Sequence, residues 1–116
     1  MRFGSAVLFL LTFTACDPYA SIQQTEDIEA FEQYLKGYPN SPYLVSARAR
    51  LEEVYLKRAR EGKTLESYDT YLARWPTGVH KKKAMAERKD MLFAWAEATH
   101  TPASWQKFLD EYPTAD

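Results

Sequence analysis

An aromatic–proline pair recurs three times in this chain, as Tyr38-Pro39, Trp75-Pro76 and Tyr112-Pro113, with the prolines 37 residues apart on both intervals. The correspondence extends backwards from each pair. Phe31, Tyr68 and Trp105 align, as do Tyr34, Tyr71 and Phe108, and Leu35, Leu72 and Leu109. Within each copy these residues fall at i, i+3, i+4 and i+7, the stripe presented by one face of an α-helix. A fixed period of this length predicts stacked helical hairpins rather than one globular core.

The ends of each stripe are marked locally. Asp27, Thr64 and Thr101 share one phase of the period, and each is an N-cap type just ahead of the aromatic residues. Each closing proline lacks the N–H that a helix needs and pushes its predecessor out of helical geometry. The spacing therefore predicts short helices over 28–38, 65–75 and 102–112. Two longer apolar-patterned segments lie between them. The first opens at Asn40-Ser41-Pro42 and ends near Gly62; the second opens at Thr77-Gly78 and runs to about Thr99. No stretch alternates with period two, so the expected fold class is all-α, with about five helices in the order short, long, short, long, short.

The N-terminus has a different character. Residues 1–15 carry one charge, Arg2, an apolar run from Ala6 to Leu11 and a small-residue end, the layout of a secretory signal peptide. The apolar run is too short for a membrane-spanning helix, which needs roughly 20 residues. Cys16 is the only cysteine, an unpaired thiol in a secreted chain. The segment Leu11-Thr12-Phe13-Thr14-Ala15-Cys16 resembles the lipobox of bacterial lipoproteins, with Phe13 where that family prefers leucine. The resemblance implies cleavage before Cys16 and lipidation of its thiol. Asp17 resembles the inner-membrane retention signal of enteric lipoproteins. Residues 16–26 then form a lipidated cysteine with a polar tether, and 27–116 form the folded domain.

The helical part resembles tetratricopeptide-type repeats, in the variant common among bacterial envelope lipoproteins. The resemblance is carried by a helix ending in aromatic–Pro, a short Asn/Ser or Thr/Gly turn, and a longer helix with an early alanine at Ala47 and Ala84. It covers residues 27–113. Glu52 and Lys89 stand where that family places a small residue in its first helix.

Chemistry is sparsely represented. The two histidines, His80 and His100, sit in different turns, and the four glycines form no phosphate-binding loop. Glu52 and Glu53 are adjacent, hence about 100° apart on a helix, and are expected on a solvated face. No catalytic, metal or cofactor residues can be named, so the expectation is a non-enzyme without cofactors.

Charge is more informative. Fifteen basic and sixteen acidic residues give a net charge of −1, and the basic ones concentrate between residues 40 and 89. Lys81, Lys82 and Lys83 follow His80 at the start of a long helix, where the helix dipole disfavours cations by about 0.3–1 kcal/mol each. Such a cluster suits an acidic protein, an anionic lipid or another polyanion, although exposed lysines also favour solubility alone. Nucleic acid is not expected as a partner, on location and overall charge. The pattern reads as two full repeats preceded by a half; if the chain ends at Asp116, its last helix lacks one neighbour, which leaves Trp105, Phe108 and Tyr112 as a second candidate partner-binding face.

The expected function is therefore a membrane-anchored envelope lipoprotein acting as a protein-binding scaffold on the periplasmic side. A self-associating structural lipoprotein and an immunity-type inhibitor of a secreted enzyme are the alternatives.

Overall fold

The computed structural model describes residues 17–113. The signal segment 1–15, Cys16 and residues 114–116 lie outside the described residues. Among the described residues all regular structure is helical: α1 (Tyr19–Ile22), α2 (Ile28–Gly37), α3 (Leu44–Gly62), α4 (Leu65–Arg74), α5 (Lys81–Thr99) and α6 (Pro102–Glu111). The chain is all-α. None of these helices is long and apolar enough to cross a membrane.

The three short helices, α2, α4 and α6, begin where the caps predict. Asp27 accepts hydrogen bonds from the N–H groups of Glu29 and Ala30. Thr64 and Thr101 each accept from the N–H three residues on, and Ser67 and Ser104 return the bond to the cap's own N–H. Both serines also donate to the last turn of the preceding long helix, Ser67 to Ala59 O at 2.6 Å and Ser104 to Ala96 O at 3.2 Å. One side chain thus fastens two consecutive helices, and it does so twice at the same phase of the 37-residue period.

The long helices differ from expectation at their starts. They begin at Leu44 and Lys81 rather than near Asn40 and Thr77, and no side chain of Tyr43 or His80 caps them. The intervening corners consist of consecutive i→i+3 turns. Ser41 N–H donates to Tyr38 O and Leu44 N–H to Ser41 O; Gly78 N–H donates to Trp75 O and Lys81 N–H to Gly78 O. Pro42 is therefore part of a corner, not of a first helical turn. The ends repeat as faithfully. Lys63 and His100, 37 residues apart, both terminate long helices in the left-handed region, at φ 50° and 51°.

Each helix packs on its neighbours in sequence. Links as short as Lys63-Thr64 and His100-Thr101 permit only a reversal, so successive helices run antiparallel. Corners 38–43 and 75–80 consequently share one edge of the stack with the C-terminal end of α6. The two-residue links share the other.

Burial follows the period. Phe31 and Tyr34 of α2 pack with Ala47, Leu51 and Val54 of α3. Tyr68 and Tyr71 of α4 pack between Leu56, Ala59 and Ala84. Phe108 of α6 packs with Leu92 and Ala96 of α5. Tyr55 and Trp75 lie against both of the first two groups, which joins them. Full burial of each large apolar side chain contributes about 1.5–3 kcal/mol, so the stability is distributed along the stack.

Residues 17–25, expected to be a polar tether, are packed instead. Tyr19 and Ile22 of α1 rest against the first core group. The Tyr19 ring stacks on Tyr43 at 5.1 Å and lies 5.8 Å from Tyr34. The apolar side chains within an otherwise polar stretch explain the difference: they lie where α2 and the first corner would otherwise expose an aromatic surface.

Candidate functional site

Part of the basic middle of the chain is neutralised from within. Arg74 of α4 grips Glu32 of α2 through both Nε and Nη2, at 2.8–3.1 Å. Arg60 of α3 holds Glu87 of α5 in the same two-pronged way, with contacts of 2.7–3.2 Å. Arg88 of α5 donates to Asp69 of α4 at 2.7 Å, to Glu111 of α6 at 2.6 Å and to the Tyr112 hydroxyl at 2.9 Å. Lys57 pairs with Glu26 ahead of α2. The exposed pairs contribute little stability individually, on the order of 0–1 kcal/mol. Their effect is to commit those cations internally.

Lys81, Lys82 and Lys83 are treated differently. All three are exposed, and no ion pair within the described residues engages them; Lys83 helps only at a distance to hold the Glu87 carboxyl low, after the dominant bond from Arg60. Lys36 and Arg48 are likewise exposed and unpaired among the described residues. A groove of about 400 Å³ is lined by Glu32, Leu35, Lys36, Arg48, Arg74, Trp75, Pro76 and Thr77, so Lys36 and Arg48 border the second corner, with the Glu32 carboxylate among them. Exposed apolar side chains share this edge: Tyr43, Val45 and Val79, with Val45 81% and Val79 83% exposed.

The corners are held from beneath by carboxylates, one buried and one half-buried. Glu52 is not on a solvated face; it is 5% exposed. Its Oε1 accepts from the Tyr71 hydroxyl at 2.6 Å and from the His80 N–H at 3.0 Å. It is the missing cap of α5, supplied by another helix. Burial works against its ionisation, yet the bonds from Tyr71 and from the N–H groups of His80 and Val79 prevail and keep the carboxyl below its usual range. Gly78 makes the approach possible, since a Cβ there would lie 2.3 Å from Oε1. The first corner uses Asp17 instead. Its Oδ1 accepts from Tyr34 at 2.8 Å and from the Tyr19 N–H at 3.0 Å, and its Oδ2 accepts from Ser41.

The predicted aromatic face is only partly on the surface. Phe108 is 4% exposed and belongs to the core, so it presents no face to a partner. Its burial follows from α5, whose Leu92 and Ala96 cover it. Trp105 and Tyr112 are half-buried, with Tyr112 turned towards Arg88. The exposed large apolar side chains of the last hairpin are Met85, Phe93, Trp95 and Leu109. Phe93 was hard to single out in sequence, because α5 carries apolar residues around much of its circumference. Its ring meets Trp105 edge-on at 5.4 Å and Phe108 at 5.5 Å. Trp95 lies under the Lys107 ammonium, 5.5 Å from its ring centre.

The arrangement can bind surfaces, by charge at the corner edge and by apolar contact at the last hairpin. Among the described residues no cluster of three His, Cys, Asp or Glu side chains could hold a metal. Compared with known protein families, curated proteins and solved structures, the chain gives no match.

Proposed function

We propose that this chain is a lipid-anchored, tetratricopeptide-like envelope lipoprotein, a scaffold that binds anionic and protein surfaces and catalyses nothing. The observation that carries this reading is the contrast among its cations. Arg60, Arg74 and Arg88 are each satisfied by carboxylates of neighbouring helices, whereas Lys81, Lys82 and Lys83 stand exposed and unpaired among the described residues. The arginines make the internal ion pairs, and three exposed lysines that oppose the dipole of α5 join none of them. Their service to an external anionic surface accounts for them. Lipidation at Cys16 and location on the periplasmic face of a membrane complete the proposal, on the strength of the lipobox-like sequence.

Crosslinking mass spectrometry on intact envelopes tests it. Wild-type crosslinks should radiate from the corner edge and the last hairpin, and Lys81–Lys83→Glu should remove those at the edge. An unchanged crosslink map would sink the proposal.

Self-association is a second reading, favoured by the exposed Phe93, Trp95 and Leu109. It predicts dimers dissociated by Trp95→Asp, a surface substitution, whereas Phe108→Asp would disrupt the core first. Monomers at every concentration by light scattering would exclude it.

A further inference from the structure

We infer that the edge formed by corners 38–43 and 75–80 lies directly on the headgroups of an anionic membrane, holding the helical stack in a fixed orientation. This deepens the reading above and rests on it, naming the anionic surface that Lys81, Lys82 and Lys83 meet.

Three independent observations converge on that edge. The first is the path of the chain. Asp17 immediately follows Cys16, and its carboxylate is fixed to Tyr34, Ser41 and the Tyr19 N–H. A lipid on Cys16 would begin one peptide unit from the first corner, within about 4 Å of the Asp17 Cα. A domain on a loose tether could face any direction; one held at Asp17 cannot.

The second is composition. The edge combines exposed apolar tips at Tyr43, Val45 and Val79 with exposed cations at Lys36, Arg48, Lys81, Lys82 and Lys83. Aromatic and aliphatic side chains interleaved with lysines suit the interfacial zone of a bilayer, where apolar groups enter the headgroup region and ammonium groups meet phosphate.

The third is the distribution of acid. Near the corner edge, Asp17, Glu32 and Glu111 are bound to internal donors, and Asp110 takes a hydrogen bond from Gln106. The opposite edge is mixed in sign: Glu26, Asp27, Glu29, Glu61 and Glu66 lie there beside Lys57, Arg58, Arg60 and Lys63, and Lys57 pairs with both Glu26 and Glu61. The side where the chain leads to Cys16 thus presents unpaired cations with most of its acids bound internally, whereas the far side presents both signs. A negatively charged membrane would attract the first more strongly.

The test uses the full chain, purified from membranes and reconstituted in vesicles of phosphatidylcholine with or without phosphatidylglycerol. A fluorophore is placed at Val45→Cys or Val79→Cys on the basic edge, or at Glu61→Cys on the opposite edge, and quenched by headgroup-labelled lipid. Strong quenching at the first two positions and little at the third is expected, and only with phosphatidylglycerol present. Each lysine near such a surface strengthens association roughly fivefold. Lys81–Lys83→Glu should therefore abolish the difference between edges, with helical circular dichroism retained. Val79→Asp, a single exposed substitution, should weaken it.

Chains that fail to float with vesicles at all would refute the anchor and with it the parent reading. Chains that float with equal quenching at both edges would overturn the orientation alone. So would persistence of the difference in Lys81–Lys83→Glu. If the edges quench equally and the same variant loses binding to a purified acidic envelope protein, the lysines belong to a protein partner instead.

Discussion

At the first corner the Tyr34 hydroxyl donates a hydrogen bond to Asp17; at the second, 37 residues on, the Tyr71 hydroxyl donates one to Glu52. The tyrosines occupy the same place in the period and the backbone turns match bond for bond. The carboxylates come from different places. Glu52 reaches over from the long helix before, while Asp17 arrives from the N-terminal segment outside the repeated unit. At the third position the tyrosine has become Phe108, and Lys89 replaces Glu52. Apolar geometry recurs because every hairpin must bury the same face. A buried hydroxyl needs only some acceptor, and each copy meets that need with whatever lies nearby.

Removing Glu52 should break the comparison most severely. Glu52→Ala leaves the Tyr71 hydroxyl and the His80 N–H without their acceptor in the interior, at a cost of about 2–3 kcal/mol. A fall of that size in the unfolding free energy read from urea denaturation is expected; a change below about 0.5 kcal/mol would show that water replaces the carboxylate at no loss.

Asp17→Asn should act locally and depend on pH. Burial would raise the Asp17 carboxyl above its ordinary value of 3.8, but the bonds from Ser41, the Tyr19 N–H and Tyr34 outweigh it and the net shift is downward. A carboxyl lowered by folding stabilises the folded form above its ordinary value, and that contribution disappears as pH falls through the lower folded value. Hydrogen exchange over Tyr19–Ile22 should therefore quicken below about pH 4 in the wild type. In Asp17→Asn it should be fast at neutral pH and lack that acidic step. Equal protection in both proteins would show that aromatic stacking alone holds α1.

The smallest effect tests the backbone rather than the corners. Lys63 and His100 occupy the left-handed region at equivalent helix ends. Lys63→Gly and His100→Gly should each raise stability by about 0.5–1 kcal/mol, because glycine enters that region without Cβ strain. Closely similar gains by thermal denaturation would extend the period to energetics; one gain and one loss would limit it to shape.

The sequence made the local parts of this fold legible. Asp27, Thr64 and Thr101 cap helices through bonds to residues two or three positions away, and the stripes starting at Phe31, Tyr68 and Trp105 need only helical periodicity to be seen. Glu52 was misjudged because its meaning depends on Tyr71 and His80, 19 and 28 residues distant. Asp17 was misjudged for the same reason: it reads as a linker residue until Tyr34 and Ser41 are brought beside it. The lysines at 81–83 were visible as a cluster. That they stand apart from the arginines became visible only once Glu32, Asp69, Glu87 and Glu111 had found their partners in space.

Those arginine pairs also bear on how the stack comes apart. Arg74 reaches from α4 back to α2, and Arg60 from α3 forward to α5, each skipping the helix between. A hairpin array joined only through adjacent helices can fray one unit at a time from either end. Links between next-nearest helices tie the fate of each unit to two others. Arg88, bound to α4 and α6 from α5, does the same for the final hairpin. The chain is consequently built to unfold in fewer, larger steps than its length and repetition would suggest.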